Sequence, residues 1–166
     1  MEHLFLETKI LVDDAGAIEG LAWPFGAPDR VGDMIEKGAF ADARLPLPML
    51  FGHDPSDPVG AWTEAAEATD GLRLKGRLLV DDVARAREVR ALVRSGAVGG
   101  LSIGFVTRKA APRKGGRTIL ALDLLEVSLV TIPMHPGARV TSAKTATHAL
   151  AIAEAINRAA MALSKR

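Results

Sequence analysis

From Gly100 to Phe105 the chain alternates bulky and small residues, with Leu101, Ile103 and Phe105 set against Gly100, Ser102 and Gly104. A period of two puts the bulky side chains on one face of a strand and the small ones on the other. Ser102 is therefore expected on a cleared, easily reached surface where another backbone can approach. Leu4, Leu6, Ile10 and Val12 form an earlier strand-like segment, closed by Asp13-Asp14-Ala15-Gly16, and residues 17–23 form the next. The two are predicted to pair as a hairpin. A loop rich in proline, glycine and aspartate follows, then a predicted short helix through Ala39, Phe40 and Ala43, which Pro46 and Pro48 stop.

The run 49–54 is a brief apolar strand ending at His53, and residues 59–62 make another. Leu72, Leu74, Gly76, Leu78 and Val80 alternate with Arg73, Lys75 and Arg77, the pattern of a half-exposed strand. Asp81 or Asp82 is predicted to cap a helix through Val83, Ala86, Val89 and Val93, with Gly96 just past its end. Its Arg85, Arg87, Arg90 and Arg94 predict a solvated basic face, with contact to an acidic partner as the alternative. After the serine strand, Lys109 to Gly116 reads as a turn, and a long β-rich run covers 118–132. Residues 134–138 read as a turn and Arg139-Val140 as a short last strand. From Ser142 the composition turns alanine-rich, with Ala149, Ile152, Ala153, Ile156, Ala160 and Leu163 at helical spacing. The expected organisation is one mainly β domain with flanking helices (α+β) over 1–140, and an amphipathic helix or tail over 141–166 that packs on the domain or on another chain.

The 166 residues, 48% of them hydrophobic, suffice for one core. A formal charge of +1 provides no global field for nucleic acid or an anionic membrane, and neither is expected as a partner. The lack of cysteine removes disulfides, thiolate metal sites and a cysteine nucleophile, and suits a reducing compartment. Acids stand at the amino terminus where a signal peptide carries bases, and no apolar run reaches membrane-spanning length, so a soluble cytoplasmic protein is expected. No cluster of histidines and acids has ligand spacing, so no metal and no other cofactor is expected.

Gly100-Leu101-Ser102-Ile103-Gly104 matches the hydrolase elbow Gly-x-Ser-x-Gly literally. That elbow needs a helix after the serine, and here a strand continues, so the match fails on context. His53, at a strand end, is a candidate general base, because imidazole titrates near neutral pH and accepts a hydroxyl proton. Asp123 and Glu126 lie in an apolar run, where a carboxylate needs a partner. Three residues apart, they would point to opposite faces of an unbroken strand. A backbone amide or an arginine is the plain alternative to a histidine for each.

Several separated stretches together resemble the prohead proteases of tailed bacteriophages: Asp29-Arg30-Val31-Gly32-Asp33, Lys37-Gly38-Ala39-Phe40, Phe51-Gly52-His53-Asp54, Pro58-Val59-Gly60, Asp70-Gly71-Leu72, Gly100 to Phe105, Leu124 to Val130, and Pro133 with Pro136-Gly137-Ala138. The resemblance implies a mostly antiparallel β-barrel like that of the herpesvirus assemblins, which work as dimers. It places the family's histidine on His53 and its serine on Ser102. Glu126 occupies the place of the third catalytic member, a second histidine in the assemblins, with His135, Asp54 and Asp123 as the other candidates. No arginine pair matches the assemblins' arginine-bearing loop: Arg139 is the nearest basic residue, the oxyanion donors stay unassigned, and backbone amides would suffice chemically.

The function so implied is a serine endopeptidase that cuts the scaffolding portion of the major capsid protein, and itself, inside the assembling prohead in the bacterial cytoplasm. The implied partners are the capsid protein precursor and its scaffolding segment, the portal protein, and a second copy of the chain. The alternative is a catalytically silent assembly factor that keeps the barrel and binds capsid protein.

Overall fold

The computed structural model describes residues 12–141. The predicted strand 4–12, apart from its last residue, and the predicted helix beyond Ser142 lie outside the described residues. Among the described residues, alternating burial produces eight strands: β1 (Ala17–Pro24), β2 (Asp33–Ile35), β3 (Leu47–Phe51), β4 (Pro58–Glu67), β5 (Gly71–Leu78), β6 (Gly100–Arg113), β7 (Gly116–Val130) and β8 (Arg139–Thr141). One helix, α1 (Ala84–Arg94), separates β5 from β6.

The sheet order is β2-β7-β3-β4-β5-β1-β8-β6, and β6 pairs again with β7. That last pairing closes seven strands into a barrel and leaves β2 attached to β7 outside the ring. The two parallel contacts are those of β7 with β2 and β3; the others are antiparallel. A mainly antiparallel barrel is what the resemblance implied. Closure removes the open edges that would otherwise invite pairing with other chains.

Ile18, Met49, Val59, Trp62, Leu72, Leu74, Leu78, Leu101, Ile119, Val127 and Leu129 fill the interior, each at most 1% exposed. Trp62 does more than fill space: its Nε1–H donates to the Val127 carbonyl at 2.9 Å, tying β4 to the middle of β7. The apolar stripe of α1, Ala86, Val89 and Val93, is fully buried against the barrel.

Four local readings change. Residues 36–43 form successive turns rather than a helix, each closed by a bond spanning three residues (Ala39 to Glu36, Ala41 to Gly38, Ala43 to Phe40). Gly38, at φ 97°, breaks the helical path, and the Glu67 carboxylate accepts from the Gly38 and Phe40 amides at 2.7 and 3.1 Å. The apolar Ala39 and Phe40 are nonetheless buried. Secondly, neither Asp81 nor Asp82 caps α1; Val83 holds that position without a side-chain bond, because both acids fall short of the first turn. Gly96 does end the helix, at φ 79°.

Thirdly, the arginines of α1 are not simply solvated. Arg87 donates to the Val80 carbonyl, Arg90 to the Asp14 carbonyl and Arg94 to the Asp14 carboxylate, while Arg85 pairs with Asp57 and Glu88 and covers the Phe51 ring at 4.7 Å. The acidic partner is this chain itself. Finally, β6 continues through Lys109 and Pro112, and the turn tightens to Lys114-Gly115. Three slips in the β6–β7 register let the ladder bend along this length.

Candidate active site on the outer face of the barrel

The end of β3 sets the position of His53. Met49, Leu50 and Phe51 run parallel to Val127, Ser128 and Leu129 of β7, and the Gly52 amide still donates to the Leu129 carbonyl at 3.0 Å. The chain then turns: Gly52 and His53 both take left-handed backbone angles, φ 65° and 63°. Glycine adopts this freely, whereas a residue with a side chain gives up about 1 kcal/mol or more. The turn is braced from outside, since Phe51 donates its amide to the Asp57 carbonyl and Asp57 is gripped by Arg85. Asp54 belongs to the same turn. Its Oδ1 accepts from the Ser56 amide and hydroxyl at 2.8 and 2.6 Å, which holds its carboxyl below the usual carboxylate range.

The His53 ring meets Glu126, with Nδ1 and Oε1 2.7 Å apart. A neutral imidazole bonded in this way carries its proton on Nδ1 and presents Nε2 as an acceptor. His53 keeps 42% side-chain exposure against 13% for Glu126, so the carboxylate is the sheltered member of the pair.

A bulge decides which carboxylate of β7 reaches the histidine. Gly104 faces Glu126 and Phe105 faces Leu124, leaving Leu125 as the extra residue, 54% exposed. The buried row changes parity there, from Leu122 and Leu124 to Val127 and Leu129. The strand is therefore not unbroken, and the expected opposition of Asp123 and Glu126 does not hold: both lie off the core-facing row. They separate by partner instead. Asp123 bonds Arg108, Nε to Oδ2 at 2.5 Å, and Glu126 bonds His53.

Ser102 stands on β6 directly opposite Ser128 of β7. Opposed residues in an antiparallel pair have β-carbons about 4.5–5.5 Å apart and share a face. Ser128 in turn donates its hydroxyl to Glu126 Oε2 at 2.7 Å and accepts the His53 amide at 3.0 Å. The register thus gathers Ser102, Ser128, Glu126 and His53 on one patch outside the core. Among the described residues, His53 Nε2 and Ser102 Oγ form no hydrogen bond with each other.

Ser102 is less open than the glycine pattern suggests, at 5% exposure. The space beside its two glycines is filled from within. Pro133 Cδ lies 2.8 Å from where a β-carbon on Gly100 would stand, and the Glu126 carboxylate covers the same position on Gly104. The glycines make room for the site's own residues.

Ser128 was not singled out from the sequence, although its spacing of two from Glu126 places both on one face of a strand. His135 lies elsewhere: its Nδ1 accepts the Gly137 amide at 3.1 Å, its Nε2 donates to the Ala27 carbonyl at 3.2 Å, and its ring meets Trp23 edge-on at 4.9 Å. Burial pushes its pKa down. Arg139 sits across from Gly100 and donates to the Pro136 carbonyl at 3.4 Å. It lines a groove of about 290 Å³ with Gly99, Gly100, Thr131 and Pro133, on the amino-terminal side of Ser102. No group of three or more histidines and acids among the described residues could hold a metal ion.

The fold is that of a class of viral proteases. The barrel superimposes on the bacteriophage T4 capsid assembly protease with a TM-score of 0.56, at 16% identity over 69% of this chain and 81% of that one. KSHV protease gives 0.51, also at 16% identity, over 75% and 63%. At these identities the likeness speaks for the fold. Residues 6–151 match the family model of the caudovirus prohead serine proteases, and the chain belongs to that family. It is 35% identical over 148 residues to the capsid polyprotein of Pseudomonas phage PAJU2 and 32% identical over 140 residues to the prohead protease of Enterobacteria phage HK97. These alignments cover 84% and 78% of this chain but only 22% and 61% of the two relatives.

Proposed function

We propose that this chain is a serine endopeptidase of capsid maturation, with Ser102 as nucleophile, His53 as general base and Glu126 as the group that orients it. The observation that carries the reading is the His53–Glu126 bond beside the strand bearing Ser102, in a chain of the prohead protease family. With Nδ1 committed to Glu126, Nε2 is the free base. It takes the Ser102 proton as Oγ attacks a peptide carbonyl, and Glu126 stabilises the imidazolium that forms. The tetrahedral intermediate then expels the amine, which takes the proton from Nε2. Water, deprotonated by the same nitrogen, hydrolyses the acyl-enzyme and restores Ser102.

The substrate is the scaffolding portion of the major capsid protein, cut in the assembling prohead inside the bacterial host. The names of the relatives support this, one being a capsid polyprotein and the other a prohead protease. The chain itself is a second substrate, the segment 141–166 being the part removed, and it works as a homo-oligomer, with a dimer the first form to test. The portal protein is a further partner.

Co-expression with the capsid protein gene of the same phage tests the reading. Mass spectrometry of both proteins is expected to show trimming with the wild type and none with Ser102→Ala. Trimming by the Ser102→Ala chain would overturn the nucleophile. No trimming by either, with particles that still depend on the chain, would establish a silent assembly factor instead.

A further inference from the structure

We infer that Ser128 is a positioning residue for the Ser102 centre: its hydroxyl locks the Glu126 carboxylate and the His53 backbone into one unit. The inference rests on the reading of Ser102 as nucleophile.

A serine hydroxyl has one proton and two lone pairs. The amide of His53 can only donate, so at 3.0 Å Ser128 Oγ must accept from it. The hydroxyl proton is then free for Glu126 Oε2, 2.7 Å away. The other carboxylate oxygen, Oε1, is left for His53 Nδ1. The four groups close a ring: His53 amide to Ser128, Ser128 to Glu126, Glu126 to the His53 imidazole. Both ends of His53, backbone and side chain, are thereby tied to two residues of β7 that are bonded to each other.

Two features show why such a lock is needed. His53 holds a left-handed backbone at φ 63°, which its own side chain disfavours, so an outside bond must keep it there. Its imidazole is 42% exposed and reaches the barrel through Glu126. A carboxylate held by a single oxygen can swing, and the imidazole would swing with it. The bond to Oε2 removes that freedom. Ser128 itself cannot substitute for Ser102. It is wholly buried, and its proton is already given to a carboxylate.

The test measures labelling of the full chain by a fluorophosphonate. Ser102 Oγ displaces fluoride from phosphorus and His53 accepts the proton, so the rate reports activation of the serine without a protein substrate. The wild type is expected to label at Ser102, mapped by peptide mass, and Ser102→Ala not at all. Ser128→Ala should fold and label about 10- to 100-fold more slowly. Ser128→Thr, which keeps the hydroxyl, should recover most of the rate. The downfield proton resonance of His53 Nδ1–H should broaden or vanish in Ser128→Ala and return in Ser128→Thr. Should Ser128→Ala fail to fold, Ser128→Cys carries the test, since it keeps the volume but donates weakly. A folded Ala or Cys variant that labels at the wild-type rate overturns the positioning role and leaves Ser102 standing. A wild type that labels no faster than Ser102→Ala overturns the nucleophile itself.

Discussion

Glu126 lies across the β6–β7 ladder from Gly104, and its carboxylate occupies the volume that a β-carbon on Gly104 would need. Glycine at this position is thus a requirement of the acid, not of an incoming chain. Gly104→Ala must push Glu126 away from His53 or force the two strands apart. We expect a loss of about 1–3 kcal/mol in stability from the overpacking. We also expect at least about a 100-fold loss of peptide cleavage from the displaced imidazole. Thermal melts and cleavage assays of the same preparation check both. Unchanged cleavage would mean that Glu126 does not need its observed position.

Glu126→Gln separates charge from shape. The amide fills the same space and its oxygen can still accept from His53 Nδ1, but no negative charge remains beside the imidazolium formed during acylation. Cleavage should fall by about 10²- to 10⁴-fold, as expected when an orienting carboxylate is neutralised. The melting temperature should fall modestly, because the amide nitrogen takes the place of the oxygen that accepts the buried Ser128 hydroxyl. An active Glu126→Gln chain would return the third role to another group.

Much of this molecule was legible along the chain, and what was missed has a common cause. Alternation located β6, a β-rich run β7, a short apolar run the strand end at His53, and helical spacing the buried stripe of α1, because each depends on residues close along the chain. The turns at 36–43 depend on Glu67, a partner 27 residues away at its nearest bond. The closed face of Ser102 depends on Glu126 of β7 and Pro133 of the loop after it filling the glycine gaps. The shared row of Asp123 and Glu126 depends on one extra residue, Leu125, visible only once β7 is laid against β6. Ser128 escaped for the same reason, since its partner His53 is 75 positions away.

Trp62 offers a check on how tightly the barrel holds β7. Its indole N–H bonds the Val127 carbonyl inside a fully buried environment, one residue from both Glu126 and Ser128. Trp62→Phe removes that bond and leaves a small void, at a cost of about 2–4 kcal/mol. Chemical denaturation should show the loss. Cleavage by the folded fraction should also drop, because the stretch bearing Glu126 loses an anchor from the core. A destabilised variant with full specific activity would show that the β6–β7 ladder alone holds the site.

His135 makes stability depend on pH in a defined direction. The Gly137 amide donates to Nδ1, so that nitrogen carries no proton, and the ring is neutral with its hydrogen on Nε2. Burial disfavours the charged ring and lowers the pKa below its ordinary 6.5, against a weaker opposing pull from the Ala27 carbonyl and Asp29. Protonation would also set a new N–H against that of Gly137. With the folded pKa below the unfolded one, the unfolded chain binds more protons between the two values, and stability rises with pH across that window. The contribution is complete above the unfolded value near 6.5 and is lost as pH falls toward the folded pKa. Melting temperature should therefore decline as pH is lowered from about 7.5 to 5.5, by more than in His135→Gln, whose side chain does not titrate. Parallel curves for the two proteins would show that His135 is protonated as easily in the folded chain as in the unfolded one.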